Sequence, residues 1–589
     1  MRRRTSIVLA AALAVSLLLS GSGEPAAAAS PFTFYGSGYG HGLGMSQWGA
    51  YGLARMGWSH RRILTHFYRH TSVRRRDSLP ASIRIGLTTG RKLVHLTARG
   101  GPVDVWVGEP KTGRIIGSIP KEQTWTVSAK AGGYAVRNGA GRLVGGRTWG
   151  GPSRNLVLRY QPAGSRVFIP EADAIWYDGF AYARGSIEFN LYSCAGGTGC
   201  VERLIARLGL QAYLDGLGEV PASWPMQALE AQVVAARSYA VYAMRHVGLR
   251  GDCNCHLTDG SGDQTYIGYN REAGADGRRW VRAVNASNRQ VVTYHRAVIQ
   301  AFYAASDGGH SESVQDVWHG GDPAYKIPWL TGVCDPGEWT DANPWTDWQR
   351  SFDAGTVSAR LRPYTGDVGT ITAFTHIVRG DSGRIVSARA RGTRARAKVS
   401  GTELRAALGL PDDRVWINAD RNIAGPLRVK YDGLMCAPGI PTSDRRGVSG
   451  GAQQFFRNGG LYRNTGADVT VWLKGAVDAE YRAVGSGGGR LGLPVGPVAS
   501  LAKVRALSCS ACRRADFADG RIYWTSRFGA HALWGKVLHA YVDAGAAQGK
   551  LGFPTSRVHH RSGGGTIATF QHGKIACPAG TTRCRVTTT

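Results

Sequence analysis

Residues 210–246, LQAYLDGLGEVPASWPMQALEAQVVAARSYAVYAMRH, are the stretch around which the rest of the chain is arranged. The pattern predicts a short helix, a proline-bounded turn and a long helix over 226–246. Ser223 is the expected N-cap, Pro225 falls in the first turn, and Gly248 stands just beyond the end. One apolar stripe at helical spacing should be buried, and it consists of Leu229, Val233, Ala236, Ala240 and Met244.

The turn carries one carboxylate, Glu219, among Val220, Pro221 and Trp224. A carboxyl group held among apolar neighbours has its ionised form disfavoured and its pKa raised, as a general acid requires. Two structural roles compete with this interpretation. Glu219 could cap the helix that follows, or it could pair with an arginine such as Arg237.

A glycine-rich segment, FTFYGSGYGHGLGMSQWGAYGLARMGWSHRRILTHFYRHTSV, occupies residues 32–73. Its alternating glycines allow backbone to approach a ligand closely. Tyr39, His41, Gln47 and Trp48 supply groups that sugars use for stacking and hydrogen bonding. A helix is predicted from Gln47 to Met56. The glycines could also form only a structural turn, with His41 on the surface.

Residues 79–190 alternate apolar and polar positions between glycine-rich turns, which predicts a run of β-strands. Two polar loops follow the central helices. The first, residues 253–269, contains Cys253, Cys255 and His256, which are candidate metal ligands at irregular spacing. The second, residues 306–321, mixes carboxylates with imidazoles. A terminal helix is expected at 402–408, with Gly409 as its cap.

Length and composition suggest two to four domains in 589 residues, of which 43% are apolar. Residues 1–30 have a basic start, an apolar core and an Ala-rich cleavage site, which predicts a secretory signal peptide. No later run is long and apolar enough to span a membrane. The net charge of +31 would favour nucleic acid in a cytosolic protein. For an exported chain it favours anionic wall polymers instead, and no nucleic-acid partner is expected.

Ten cysteines in an exported protein predict disulfides. Three pairs are close enough in sequence to close local loops, and Cys334 and Cys436 are isolated enough to form one long-range bridge. The close pairs are Cys194 with Cys200, Cys509 with Cys512, and Cys577 with Cys584. For Cys509 and Cys512, which form a CxxC motif, a disulfide is favoured over a metal site.

An internal repeat is present from residue 436 to 589. Segments of the form GIPT, LGLP and LGFP begin near residues 439, 491 and 551, and each is followed by a turn such as FRNGGLY, FADGRIY or FQHGKI. Units rich in glycine and aromatic residues, and poor in acid/base clusters, favour a binding module over a second enzyme.

Four stretches resemble the SpoIID/LytB family of bacterial cell-wall proteins, and together they span most of residues 32–421. They are GYGHGLGMSQWGAYGLA, YLDGLGEVPASWPMQALEAQVVAARSYA, HLTDGSGDQTYIGY and AASDGGHSESVQDVWHGGDPAY. The C-terminal units resemble LGFP repeats, which are associated with wall anchoring. The resemblance implies an α+β fold: a SpoIID-like mixed catalytic domain with β-rich segments and a long central helix, followed by a β-rich repeat module. It also implies boundaries at 31–78 for the glycine-rich segment, 79–190 for the β-rich part and 191–425 for the core.

Two departures from the family pattern affect the site. The glycine-rich GHG motif usually follows a segment like VSGTELRAALGL, whereas here it stands near residue 36. This order indicates a circular permutation, so the GHG loop should pack beside residues 210–246. Relatives that bind zinc place cysteines at positions that align with about Thr258 and Asp263. Zinc therefore remains an open question, with Cys253, Cys255 and His256 as the only soft ligands.

The resemblance implies a secreted, wall-associated lytic transglycosylase that cleaves peptidoglycan glycan strands with Glu219 as its single acid and base. It implies substrate contacts from Tyr39, His41, Gln47, Trp48, Ser306 and His310. Two alternatives remain: a non-catalytic enhancer of a separate wall amidase, and a scaffold that only binds the wall. The sequence leaves the oligomeric state open.

Overall fold

The computed structural model describes residues 31–108, 112–130, 132–151, 154–160, 164–172, 179–192, 201–501, 511–581 and 583–589. The predicted signal peptide, Cys194, Cys200 and Cys509 lie outside these residues. Helices and many strands are mixed, and the C-terminal region is rich in strands, so the predicted α+β class is confirmed. Within the described ranges, no helix is long and apolar enough to cross a membrane.

The N-terminal segment is woven into the core at three places. The strand Phe32–Gly36 pairs with two distant strands, Trp348–Phe352 and Val415–Ile417. The strands Met45–Ser46 and Ser72–Arg75 each pair with one further core strand. The elements of this segment are β1 (Phe32–Gly36), β2 (Met45–Ser46), α1 (Gln47–Arg55), α2 (His60–Phe67) and β3 (Ser72–Arg75).

The predicted β-rich part forms two antiparallel sheets that share one apolar core. Alternate residues of each strand point into this core, as the period-two pattern requires. The strands are β4 (Ser82–Arg91), β5 (Leu93–Arg99), β6 (Val103–Val107), β7 (Arg114–Ile119), β8 (Thr124–Lys130), β9 (Gly133–Arg137), β10 (Leu156–Tyr160), β11 (Arg166–Ile169), β12 (Phe180–Tyr182), β13 (Ser186–Tyr192) and β14 (Val201–Gly209).

The core that follows contains the long central helix and the elements around it. These are α3 (Leu210–Asp215), α4 (Met226–Tyr242), β15 (Leu257–Thr258), α5 (Tyr269–Glu272), α6 (Gly274–Ala286), β16 (Gln290–Tyr294), β17 (Ala297–Val298), β18 (Tyr303–Ala304), α7 (Val314–Trp318), β19 (Trp348–Phe352), α8 (Ala354–Thr365), β20 (Ile371–Arg379), β21 (Ile385–Gly392), β22 (Arg396–Ser400), α9 (Gly401–Leu408) and β23 (Val415–Ile417).

The central helix α4 is buried on almost every side, which corrects the expectation of a single apolar stripe. Leu229 and Val233 face the β-rich core, whereas Val234 and Ala235 face a second cluster built largely by the N-terminal segment. A helix that is apolar all round belongs in the interior. α4 therefore joins the two halves of the domain.

The start of α4 also differs from the prediction. Pro225, with φ −53° and ψ 139°, occupies the N-cap position, and no side chain caps the helix. Ser223 is therefore not the N-cap, and Glu219 does not cap this helix. Beyond Tyr242 the chain continues as a π-helical turn, Ala243–Val247, before Gly248 ends it. The helix predicted at 402–408 is α9, which begins one residue earlier at Gly401 and ends at Gly409, as expected. Ser400 is its N-cap.

Three helix-and-sheet units make up the C-terminal region. In each, a helix tyrosine hydroxyl donates to a glycine carbonyl of the following LGFP-like segment: Tyr431 to Gly439, Tyr481 to Gly492 and Tyr541 to Gly552. The first unit therefore includes a helix that starts at Gly425, ahead of the predicted boundary at 436. The elements are α10 (Gly425–Gly433), β24 (Arg446–Val448), β25 (Gly451–Phe456), β26 (Gly459–Asn464), β27 (Val469–Leu473), α11 (Gly475–Ala483), β28 (Ala499–Ser500), β29 (Arg513–Phe517), β30 (Gly520–Thr525), β31 (Gly529–Trp534), α12 (Gly535–Asp543), β32 (His559–His560), β33 (Thr566–Phe570), β34 (Gly573–Cys577) and β35 (Arg585–Thr588).

Two of the predicted disulfides are present. Cys334 and Cys436 form the long-range bridge, which ties the core to the first repeat unit. Cys577 and Cys584 close a local loop at the end of the last unit. Cys512 is also disulfide-bonded.

Candidate active site

The connector between α3 and α4 positions Glu219 by pairing with the polar loop that follows α4. Gly218 donates its backbone N–H to the Thr265 carbonyl, and Ile267 donates to the Gly216 carbonyl. The Thr265 N–H in turn donates to Glu219 Oε1 at 2.5 Å. Two backbone segments therefore fix the carboxyl group from both sides.

Burial raises the pKa of the Glu219 carboxyl above its ordinary value. Hydrogen bonds from the Thr265 N–H, the Tyr303 hydroxyl and the Gln47 amide favour the charged form, but they offset only part of this effect. The alternative pairing with Arg237 is excluded in this structure. Arg237 donates instead to the backbone carbonyls of Ser287 and Gln290.

A buried hydrogen-bond chain orients the Tyr303 hydroxyl. Gln264 Nε2 donates to the Tyr303 oxygen at 2.9 Å, and Gln264 Oε1 accepts from the Tyr213 hydroxyl at 2.8 Å. The Tyr303 oxygen accepts the hydrogen bond from the Gln264 amide. Its own O–H can therefore donate to Glu219. Tyr303 was not predicted as a site residue, because it lies on the two-residue strand β18, which is too short for a sequence pattern to show its orientation.

The N-terminal segment forms the opposite wall of the cleft. Tyr39 and Ser306 exchange backbone hydrogen bonds, and the Gly40 N–H donates to the Pro411 carbonyl. Gly40 has φ +130°, and a Cβ at this position would lie 2.8 Å from Ala304 Cβ, so glycine is required. The contact with Pro411 puts the GHG loop directly beside the end of the VSGTELRAALGL segment, as the permutation predicts.

Residues from seven separate stretches of sequence line one cleft of about 440 Å³. Glu219, Tyr39, His41 and Gln47 all contribute, so the expected convergence of the GHG loop on Glu219 is observed. The remaining lining residues are Gly40, Tyr239, Ser261, Gly262, Asp263, Thr265, Phe302, Tyr303, Ala304, Ala305, Trp318 and Arg405.

His41 is held as a neutral imidazole. Burial and the charges of Arg405 and Arg384 lower its pKa to about 4. Its Nδ1 accepts the Leu43 N–H at 3.0 Å, so the proton of the neutral ring resides on Nε2. The backbone of Tyr303 is the partner of this Nε2–H, so His41 is an uncharged, fixed part of the wall near Glu219.

Aromatic rings border the cleft at two points. Tyr39 is 41% exposed, and its ring lies 4.2 Å from that of Trp345. His41 packs against Trp318, with ring centroids 5.8 Å apart. Exposed rings beside hydrogen-bonding groups suit the apolar faces and hydroxyl groups of a sugar.

Three residues expected to bind substrate lie elsewhere. Trp48 packs against Tyr51 and Trp224, away from the cleft lining. Ser306 is buried and donates to Glu338. His310 donates from Nδ1 to the Ser311 carbonyl at 2.6 Å. These side chains serve packing and internal hydrogen bonding, and the residue types alone did not distinguish such roles from substrate contact.

The candidate zinc ligands do not fit that metal. Cys253 and Cys255 form a disulfide with each other, which removes both thiolates. His256 Nδ1 accepts the Arg84 N–H. At the positions where zinc-binding relatives have cysteines, Thr258 donates from its hydroxyl and its N–H to Asp263, which also pairs with Arg250 at 2.9 Å. A charge-assisted hydrogen-bond network closes this loop instead of a tetrahedral sulfur site.

Comparison with known proteins identifies two regions. Residues 201–294 match the SpoIID family, described as a stage II sporulation protein, and residues 491–549 match the LGFP repeat. The SpoIID match contains Glu219 and the disulfide-closed polar loop. The predicted resemblance to both families is confirmed.

Two curated proteins are similar to parts of the chain. An uncharacterized protein of Brachyspira hyodysenteriae is 30% identical over 148 residues, covering 24% of this chain and 37% of that protein. The amidase enhancer of Bacillus subtilis is 31% identical over 105 residues, covering 18% of this chain and 13% of that protein. The chain therefore spans well under half the length of the curated relatives it matches.

Proposed function

We propose that this chain, which carries a SpoIID domain and an LGFP repeat, remodels the bacterial cell wall as a lytic transglycosylase. The observation that carries the proposal is the Glu219 carboxyl group, whose pKa is raised by burial in a cleft bordered by aromatic rings and hydrogen-bond donors. The substrate would be the glycan strands of peptidoglycan, between MurNAc and GlcNAc.

One carboxyl group can perform both proton transfers of this reaction. Protonated Glu219 gives its proton to the glycosidic oxygen, the bond from that oxygen to C1 of MurNAc breaks, and GlcNAc leaves with a new hydroxyl group. The Glu219 carboxylate then takes the proton from the C6 hydroxyl, whose oxygen bonds to C1. The product is a 1,6-anhydro sugar, no water is consumed, and Glu219 ends protonated as it began.

The surroundings of Glu219 favour this cycle. Burial favours the protonated carboxyl group before bond cleavage, while the Thr265, Tyr303 and Gln47 donors stabilise the carboxylate that forms during it. Asp263 is a second carboxylate in the cleft, but its Oδ2 already accepts hydrogen bonds from Arg250 and Thr258. A single available carboxyl group favours intramolecular attack over the two-carboxylate hydrolysis of most glycosidases.

The repeats would hold the protein to its substrate. Two surface grooves, of about 660 and 540 Å³, lie at equivalent junctions between units, each between the glycine turn of one unit's sheet and the start of the next unit's helix. Arg457 and Lys474 line the first, and Arg490 and Arg521 line the second. Basic grooves of this kind suit anionic wall polymers.

A second candidate function is enhancement of a separate wall amidase, because the Bacillus subtilis relative bears the name amidase enhancer. In that case the cleft would grip glycan without cutting it, and the chain would recruit or stimulate a partner hydrolase.

Digestion of purified peptidoglycan separates these functions. Mass spectrometry of soluble products detects the 1,6-anhydro end, which is one water lighter than a hydrolytic end. Anhydro ends that depend on Glu219 support the transglycosylase. Binding without release, together with faster stem-peptide cleavage by an added amidase, would support the enhancer. Binding with neither effect would support a scaffold.

A further inference from the structure

A group of three carboxylates is buried beneath the cleft and has no part in the proposed reaction. Asp307, Asp335 and Glu338 are exposed by 1%, 0% and 0%. One oxygen from each lies within 4.8 Å of the corresponding oxygens of the other two.

The hydrogen bonds of this cluster leave two carboxylate oxygens without an N–H or hydroxyl donor. Glu338 accepts from the hydroxyl groups of Ser46 and Ser306, from the Gly308 N–H and from Asn343. Asp307 Oδ1 accepts the Gly309 N–H, and Asp335 Oδ1 accepts the Gly337 N–H, at 2.8 and 2.9 Å. Among the described residues, Asp307 Oδ2 and Asp335 Oδ2 receive no hydrogen bond from an N–H or hydroxyl donor, and the carboxyl groups of Asp335 and Glu338 lie within hydrogen-bond reach of each other.

Three buried carboxylates this close cannot all remain charged without a cation. Arg384 and Arg414 act electrostatically on Asp307, and Arg428 acts on Glu338. Each of these guanidinium groups has other partners: Arg384 pairs with Asp412 and Asp413, Arg414 donates to Ser382 and Ser37, and Arg428 pairs with Asp432. Burial and the neighbouring carboxylates raise the pKa of Asp307 and Asp335. The cluster therefore either keeps protons or binds a metal ion.

We propose that Asp307, Asp335 and Glu338 bind a calcium ion. Calcium takes carboxylate and other oxygen ligands at about 2.3–2.6 Å, so ligands on opposite sides of the ion lie up to about 5 Å apart. The carboxylate oxygens of the cluster lie within 4.8 Å of one another, which fits that limit. The site offers oxygen and no sulfur or imidazole ligand in its set of three, which disfavours zinc and copper.

The ion would hold together the elements that build one wall of the cleft. Ser46, which donates to Glu338, is also the N-cap of α1 and precedes Gln47. A Cβ on Gly49 of the same helix would lie 1.7 Å from Asp335 Oδ2, so α1 lies directly on the cluster. Ser306 connects the site to Tyr39 through their shared backbone pair. Calcium would thus order the GHG segment without touching Glu219, whether or not Glu219 is catalytic.

The first test measures metal content and thermal stability of the full purified chain. The protein is stripped with EDTA, dialysed against calcium or magnesium, and analysed by mass spectrometry of its metals and by thermal unfolding. We expect about one bound calcium per chain and a midpoint raised by about 3 °C or more at millimolar calcium. Magnesium should do less, because it requires shorter bonds and nearly octahedral geometry.

A pair of variants separates calcium binding from shared protons. Asp335→Asn should abolish the calcium-dependent rise in midpoint, whereas Glu202→Gln should keep it. Glu202 is an equally buried carboxyl group outside the cluster, and burial raises its pKa to about 9. If Asp335→Asn does not fold, Asp307→Asn is used in its place. The metal content of the parent protein then still shows whether the chain binds calcium.

The proposal is overturned if the stripped parent binds no calcium and its midpoint is the same in calcium and EDTA. An Asp335→Asn variant with the same response to calcium as the parent would likewise overturn the proposal, because the stabilising calcium would then bind elsewhere. Equal stabilisation by magnesium would overturn the choice of calcium.

Discussion

Gln47 Nε2 lies 3.4 Å from Glu219 Oε2, although 172 positions separate the two residues in the chain. Gln47 is the first residue of α1, and the four strand pairings of the N-terminal segment fix that helix in place. The GHG segment is therefore an integral wall of the candidate site. A circular permutation changes the order of the segments and keeps their contacts.

The pH dependence of glycan cleavage should report the pKa of Glu219. Only the protonated carboxyl can donate to the leaving oxygen, so the rate should fall as pH rises through the raised pKa. Gln47→Ala removes a donor that stabilises the carboxylate, so the pKa of Glu219 should rise and the fall in rate should begin at a higher pH. The rate at the optimal pH should drop by about 5-fold. Rates are measured from pH 4 to 9.

Gln211→Ala is the matched control for Gln47→Ala, because Gln211 donates to Asn285 away from the cleft. Its pH profile should match that of the parent protein. A Gln47→Ala profile that moves to lower pH would contradict the assigned hydrogen bond.

Acid should destabilise the fold through its buried histidines. Burial lowers the pKa of His310 from 6.5 to about 4. The unfolded chain therefore binds a proton between these values while the folded chain does not, and stability present above pH 6.5 is lost as pH falls toward 4. His310→Asn, which keeps a donor for the Ser311 carbonyl, should remove a contribution of up to about 3 kcal/mol to that loss.

Urea unfolding of the parent and His310→Asn at pH 7 and pH 4.5 checks this contribution. The free energy of unfolding should drop more between the two pH values in the parent than in the variant. Equal drops would show that His310 does not titrate as its burial predicts.

The long-range disulfide should secure the junction between the core and the repeats. Cys334 and Cys436 close a loop of 102 positions, and both lie in an apolar cluster with Ile423, Leu427 and Tyr431. Replacing both cysteines with serine should lower the free energy of unfolding by about 2–5 kcal/mol. Calorimetry and limited proteolysis check this, and unchanged values would show that packing alone holds the junction.

Wall binding should reside in the repeats. A fragment of residues 425–589 with Cys436→Ser, which avoids an unpaired thiol, should sediment with purified cell wall at low salt. High salt should weaken the interaction, since Lys and Arg outnumber Asp and Glu in this region. A folded fragment that stays soluble at low salt would exclude the repeats as the wall anchor.

Local signals predicted much of the fold. α1 begins at Gln47 and α9 ends at Gly409, both as predicted. Both depend on residues a few positions apart, so the sequence contains them directly. Pro225 misled the prediction for α4 because a proline suits both the first turn and the position before it.

The positions of side chains in the site depended on tertiary packing. Glu219 and His41 converge as the permutation implied, whereas Ser306 and His310 face the interior. Serine and histidine serve both roles, and only the neighbouring backbone decides which side they face. The spacing of Cys253 and Cys255 likewise allowed either a metal or a disulfide until their sulfur atoms were located.

The most direct test of the central claim compares the parent protein with Glu219→Gln in the release of 1,6-anhydro ends from purified peptidoglycan. Glutamine keeps the shape and the acceptor oxygen but cannot cycle a proton, so release should fall at least about 100-fold while wall binding and thermal midpoint stay unchanged. Glu272→Gln, which alters a carboxylate paired with Arg184 outside the cleft, should retain parental activity. Release by Glu219→Gln at the parental rate would contradict the account.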